Sequence, residues 1–367
     1  MAPVIESVTA AAYRIPTDAP ESDGTLAWNS TTLVVCRLTA GGISGVGYTY
    51  ADASVAPLVE GVLAPSVEGR DALAVTAAWD AMVAAIRNLG RPGLCSHAIA
   101  AVDTAAWDLK ARLLGVPLVV LMGARREAVP VYGSGGFTSY DEERLRGQLG
   151  GWVAGGIPRV KMKVGRDADS DAERVAAARD AIGATAGLMV DANGAYSRKQ
   201  ALAMAERFAQ YGVTWFEEPV SSDDLEGLRL LRDRAPAGME ITAGEYGYDA
   251  FYFRRMLEAG AVDVLQADAT RCAGYTGLAR VAELTAAHGI GLSTHTAPAL
   301  HAPACCALPG IRHVEYFHDH VRIEETLLHG APAPVQGQLR PDLSRSGTGL
   351  DFDDDAAQEF LVPPEAV

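Results

Sequence analysis

The chain has little of what marks a membrane, secreted or nucleic-acid-binding protein. No apolar run approaches the ~18–20 residues a membrane span needs. The start, Met1-Ala-Pro-Val-Ile-Glu, has no basic segment leading into an apolar stretch, so no secretory signal is expected. Cysteines number five (Cys36, Cys95, Cys272, Cys305 and Cys306), scattered and without paired metal-ligand spacing. An odd count in a chain of this size reads as reduced thiols in a cytoplasmic protein. Basic residues are outnumbered, 31 Lys and Arg against 46 Asp and Glu, for a net charge of −15. Nucleic acid and anionic membrane are therefore not expected partners, because binding phosphate draws on clustered Lys and Arg. Small anionic substrates stay open, since a bound divalent cation can set the local field inside an acidic protein. Low-complexity tracts and long linkers are absent too.

What is present is ordinary globular material: 367 residues, 49% hydrophobic and 21% charged, enough for two domains. Up to about Arg125 the texture is strands followed by helices. Residues 3–15 and 31–50 read as strands, with Gly41-Gly42 as a hairpin turn. Ala- and Leu-rich stretches at about 71–89 and 96–114 have helical periodicity, the second ending near Gly115-Val-Pro117. This predicts a small α+β unit over 1–125. From Val129 the chain alternates. Short apolar runs at 129–133, 159–164, 187–191, 213–217, 240–245, 262–268, 290–295 and 313–317 are separated by amphipathic helical stretches. Eight such strands fit a closed parallel barrel over 126–320 better than an open sheet. The remainder, 321–367, is rich in Gly, Pro and Asp and makes no domain alone. Its apolar residues, Leu339, Leu350, Phe352 and Phe360 among them, are expected to pack back on the first unit.

In such a barrel, chemistry sits where strands end. The polar residues ending the runs are Lys161 and Lys163, Asp191, Glu217 and Glu218, Glu245, Asp268, His295 and Glu315, at intervals of about one strand-plus-helix unit. Asp191, Glu217 and Glu245 come from three consecutive strands. Three buried carboxylates repel one another unless a cation joins them, and oxygen-only ligands select Mg²⁺ or Mn²⁺ over zinc. Lys161 and Lys163, two apart on one strand, point to one face, where each ammonium should depress the other's pKa towards that of a general base. Asp268 can fix the tautomer of His295. A lysine on one side and a His–Asp pair on the other amount to two bases facing one substrate. That arrangement suits removal of a proton next to a carboxylate, with the metal holding the enediolate. The other seven histidines, His97, His301 and His318 among them, read as structural.

The motifs Lys161-Met-Lys163, Asp191-Ala-Asn193, Glu217-Glu-Pro219, Ala-Gly-Glu245, Asp268, Ser-Thr-His295 and Glu315, in this order, resemble the enolase superfamily, specifically its mandelate racemase subgroup, over essentially the whole chain. Such sites use a Lys or His base with Mg²⁺. The resemblance implies an α/β fold, a modified TIM barrel (β/α)₇β under an α+β capping domain completed by the tail. It implies one Mg²⁺ (or Mn²⁺) per active site on Asp191, Glu217 and Glu245, with Lys163 and the His295–Asp268 pair as acid/base groups. Lys161 and Glu315 would contact the substrate carboxylate, and Glu218 would be structural. Substrate choice would come from cap loops at about 15–30 and 48–56, with Trp28, Asn29, Tyr48 and Tyr50, and from Asn193. The Leu343–Gly349 stretch departs from the Pro-Gly-Leu-Gly turn of many relatives, which affects only the tail.

The function implied is abstraction of the proton α to a carboxylate, foremost dehydration of an acid sugar to a 2-keto-3-deoxy acid. The alternative is a racemase, epimerase or cycloisomerase using the same pair. A non-catalytic ligand-binding scaffold is a third reading, disfavoured by the complete acid/base set. The partners expected are a small-molecule carboxylate and further copies of the chain.

Overall fold

Gly41 and Gly42 lie at φ of 57° and 74°, and Ala40 pairs with Ile43 across them. Two positive-φ residues make the tight turn whose twist matches the strands it joins, and glycine adopts it without strain. The structure, a computed structural model, describes residues 3–363. Its first unit is an antiparallel sheet of β1 (Ser7–Ser22), β2 (Ala27–Ala40) and β3 (Ile43–Tyr50) in that order. The helix Leu94–Leu113 lies on this sheet so closely that a Cβ on Gly47 would fall 2.3 Å from the Ala105 nitrogen. Val34, Cys36, Leu38, Trp79, Ile99 and Leu109 form the core between them.

The stretch expected to be a loop at 15–30 is instead an arm of the sheet. β1 runs on to Ser22 and β2 returns from Ala27. The turn between them is held by Asp23, whose Oδ1 accepts from the Thr25 and Leu26 amides at 2.6 and 2.7 Å. Such Asx geometry replaces the backbone bonds a turn leaves unmade.

The barrel has eight parallel strands: β4 (Val129–Gly135), β5 (Arg159–Lys163), β6 (Gly187–Asp191), β7 (Val213–Glu217), β8 (Glu240–Ala243), β9 (Val264–Ala267), β10 (Gly291–Thr294) and β11 (Ile311–Phe317). Each pairs with the next, and β11 pairs with β4 to close the ring. All eight apolar runs of the sequence are strands, buried on both faces as parallel strands are. Seven helices of eight or more residues alternate with them. Inside the barrel, Tyr132, Met189, Trp215 and Val264 fill the layer beneath the strand ends.

The last segment divides its contacts. Gln338–Leu339 pairs antiparallel with β4, placing Leu339 in an apolar cluster of the barrel wall. Further on, Phe352 packs on Tyr13 and the Val362 amide bonds to Ala12 O at 2.8 Å, both on the cap sheet. All five cysteines are free and buried. Among the described residues no helix is long and apolar enough to cross a membrane.

Candidate active site

Strand register aligns the first site residues. Lys163 pairs with Asp191 across β5 and β6, and Asp191 with Glu217 across β6 and β7, giving one row at the C-terminal ends of three strands. Glu245 joins them two residues beyond β8, after Gly244. There the chain passes so close to β9 that a Cβ would fall 2.1 Å from Gln266 O. The carboxylates of Asp191, Glu217 and Glu245 bring oxygens within 4.8 Å of one another, and all three side chains are buried. Several residues just past the strand ends sit in the left-handed region: Asn193 (φ 45°), Glu218 (38°) and Thr296 (48°). Backbone strain of this kind survives only where surrounding structure enforces it, and it clusters at functional sites.

The charges here are paired but not balanced. Lys163 Nζ donates to Asp191 Oδ2 at 2.5 Å. Lys161 Nζ lies between Glu217 Oε1 at 2.6 Å and Glu315 Oε1 at 2.8 Å, above the Tyr132 ring. The sequence suggested that the two ammonium groups depress each other's pKa. In the structure burial does work against their charge, but the adjoining carboxylates outweigh it and hold both above the ordinary lysine range. Burial and the neighbouring Asp191 push Glu217 up to about 8, so this cluster resists full ionisation. Glu245 Oε2 is buried with no hydrogen-bond partner. An oxygen left bare beside two further carboxylates, with no sulfur or imidazole among the three, fits a hard divalent cation.

His295 follows β10. Its Nδ1 is 2.8 Å from Asp268 Oδ2, and its Nε2 faces Glu245 Oε2 at 3.6 Å. Asp268 also accepts the Thr270 amide at 2.7 Å. Burial disfavours its charge, but the His295 hydrogen bond and charge hold its carboxyl well below the usual range. A carboxylate on Nδ1 leaves Nε2 to exchange protons with whatever lies in front of it.

Lys163, Asn193, Glu245, Asp268 and His295 open into one cavity of about 440 Å³, roofed by the cap through Trp28, Tyr50 and the hairpin turn. The turn is seated by Gly24, where a Cβ would fall 2.5 Å from Ala192 O and 2.8 Å from Val164 O. Lys161, Glu315, Asp191 and Glu217 are all buried beneath the cavity lining. Among them Lys161 pairs with both Glu217 and Glu315, and Glu315 also accepts the Thr296 amide at 2.7 Å. Tyr48 is buried, its hydroxyl donating to Glu324 Oε1 at 2.6 Å, and Asn29 faces a separate surface groove. Glu218 is buried with Oε1 unpartnered. His301, which accepts the Ala269 amide and lies against the carbonyls of Thr296 and Ala297, is a fully bonded core residue. Sequence reasoning missed Arg271 and His320, both in the cavity wall. Arg271 stands three residues past Asp268, a spacing that places it in the first turn after the strand.

Two family models match. The mandelate racemase / muconate lactonizing enzyme N-terminal domain covers residues 7–123, and the enolase C-terminal domain-like model covers 144–356. The chain is 33% identical over 359 residues to 3,6-anhydro-α-L-galactonate cycloisomerase of Streptomyces coelicolor, spanning 95% of this chain and 98% of that one. It is 31% identical over 284 residues to L-talarate/galactarate dehydratase of Salmonella typhimurium, 75% of this chain and 70% of the other. Among solved structures, a mandelate racemase/muconate lactonizing enzyme-like protein from Rubrobacter xylanophilus superposes with a TM-score of 0.96 at 55% identity, over 98% of this chain and all of the other. A racemase from Streptomyces coelicolor with bound magnesium superposes with a TM-score of 0.92 at 31% identity, over 98% and 100%.

Proposed function

The chain belongs to the mandelate racemase / muconate lactonizing enzyme family of the enolase superfamily, and from that premise we propose that it removes the proton α to the carboxylate of a hydroxylated acid and expels a β-oxygen. The foremost case is dehydration of an acid sugar to a 2-keto-3-deoxy acid. The observation that carries this reading is that Lys163 and His295 open into the same cavity as Glu245.

Asp191, Glu217 and Glu245 would hold Mg²⁺. When bound it supplies positive charge beside the substrate carboxylate, which offsets the charge that builds as the α-proton leaves. Lys163 takes that proton as the neutral amine, which requires that it first give its ammonium proton to solvent and leave its ion pair with Asp191. The Cα–H electron pair becomes the Cα–Cβ double bond as the Cβ–O bond breaks. His295, with Asp268 steadying its imidazolium, delivers a proton to the departing oxygen. The enol product tautomerises to the 2-keto acid. Lys161 and Glu315 act from behind the wall, where Lys161 fixes Glu217 and Glu315 holds the strained Thr296 turn that carries His295.

Cycloisomerisation is the second reading, favoured by the nearly complete mutual coverage with the anhydrogalactonate cycloisomerase. If the β-oxygen belongs to a ring, the same proton transfers open the ring with no loss of mass. Incubation with Mg²⁺ and pooled acid sugars in D₂O, followed by mass measurement, separates the cases. Loss of water identifies dehydration. Deuterium gain alone identifies ring opening, racemisation or epimerisation. A library silent in both respects removes the α-proton reading for acid sugars.

A further inference from the structure

Resting on the α-proton reading, we infer that the substrate is a monocarboxylate whose far end is uncharged and hydroxylated, an aldonate or its anhydro form rather than a diacid. The argument is an inventory of charge and of unmet hydrogen bonds in the cavity wall.

Lys163 and Arg271 are the Lys and Arg residues that line the cavity. Both belong to its reacting end and face carboxylates there. Lys163 is on Asp191. Arg271 has Nη1 3.4 Å from Glu245 Oε1 and Nε 3.8 Å from Asp268 Oδ2, with its guanidinium over the Tyr246 ring. The roof contributed by the cap has no Lys or Arg. Its charged residues are Asp23 and Asp52. A second carboxylate held under this roof would meet two like charges and no Lys or Arg in the roof's lining.

Hydroxyls find the opposite situation. Tyr50 and Thr270 line the cavity, and their hydroxyl oxygens lie buried just behind its surface without hydrogen-bond partners. Buried polar atoms are rarely left so, and a turn of either side chain would bring its hydroxyl to a ligand hydroxyl that supplies the missing bond. His320 stacks on the Tyr50 ring, centroids 3.4 Å apart. Its Nδ1 accepts the Ala297 amide at 3.3 Å, which leaves Nε2 carrying a proton to donate. Burial, and then the charge of His295, hold the His320 imidazole well below its ordinary range, so it donates without adding a cation. Tyr50, Thr270 and His320 thus supply the cavity wall with neutral donors.

The test compares matched five- and six-carbon aldonates and aldarates, all epimers, with the wild-type protein and Mg²⁺ in D₂O, reading kcat/KM for exchange or elimination. An aldonate, or its anhydro form, turned over at least 100-fold better than any aldarate supports the inference. An aldarate equal to or better than every aldonate overturns it and leaves the α-proton chemistry standing. Silence with both classes overturns that chemistry, and the inference with it. Two variants test the wall itself. Tyr50→Phe should raise KM for the aldonate about 10-fold with kcat little changed. Ser30→Arg, which sets a guanidinium in the roof, should shift the aldarate-to-aldonate ratio of kcat/KM upward at least 10-fold. An unmoved ratio in a folded Ser30→Arg protein counts against the charge argument.

Discussion

Asp268 Oδ2 accepts at 2.8 Å from Nδ1 of His295, and the Thr296 hydroxyl lies 3.2 Å from the same oxygen. The imidazole is thereby fixed in orientation and tautomer before any substrate arrives. The other Asp268 oxygen is occupied by the Thr270 amide, so the carboxylate cannot swing away. A proton-transfer group held this way needs little reorganisation at the moment of reaction.

Asp268→Asn keeps the shape of this pair but removes its charge and reverses the preferred tautomer. Turnover should fall on the order of 10³-fold, while Mg²⁺ affinity by calorimetry stays within a few-fold of wild type. Activity within twofold of wild type would contradict the role given to the pair.

Lys163→Ala removes the base that faces the cavity. Exchange of the α-proton with D₂O should drop by about 10²–10⁴. Lys161→Ala should also lower activity, but through a loosened Glu217, and so should weaken Mg²⁺ binding as well. Unchanged exchange in Lys163→Ala would move the base elsewhere.

Glu245→Gln takes a charge from the bare oxygen of the acidic cluster. Mg²⁺ affinity should weaken at least about 10-fold, read by titration calorimetry, with the far-ultraviolet spectrum unchanged. An affinity equal to wild type would take Glu245 out of the ligand set.

Glu21 supplies a pH test of stability away from the reacting end. Its side chain is buried, one oxygen accepts the Trp28 N–H at 2.8 Å, and the other has no partner. Burial, then the charge of Asp319, push its carboxyl up to about 8 from an ordinary 4.5. The folded chain therefore keeps a proton that the unfolded chain has lost above its own pKa. Stability is highest below about 4.5 and falls as pH rises towards about 8, at up to about 1.4 kcal/mol per pH unit from this one group. In Glu21→Gln that part of the slope should vanish, as read by denaturant midpoints from pH 5 to 8. A slope identical to wild type would show Glu21 ionised throughout.

The barrel was legible because parallel strands buried on both faces leave unbroken apolar runs, and because a residue ending such a run stands at the mouth. That logic located Lys163, Asp191, Glu217, Glu245, Asp268 and His295 at the mouth. It did not tell which neighbours reach the cavity. Lys161 shares a strand face with Lys163 but lies one layer deeper, which parity cannot reveal. Tyr48 and Tyr50 likewise share a face of β3. Tyr48 ends under Glu324 of the helix His318–Leu327, and Tyr50 extends past that cover into the cavity. The arm at 15–30 was hidden because Pro16 and Pro20 interrupt its strand pattern, and pairing shifts between Pro16 and Glu21. Its order comes from tertiary contacts, the Thr138 amide on Ser22 O and the Thr138 hydroxyl on Asp23 O, each at 2.8 Å.

The seating of Gly24 on the carbonyls of Val164 and Ala192 separates two quantities that usually vary together. Where a lid rests through side chains, altering those side chains to change selectivity also changes its height. Here the closest approach is one backbone lying on another, with the Ala195 methyl and the Thr138 hydroxyl as side-chain contacts beside it. Leu26, which lines the cavity beside that seat, can then be exchanged to retune what the cavity admits while the seat of the turn is kept. Mutational libraries aimed at new substrates have a natural boundary in this feature: vary Leu26 and leave the glycine alone.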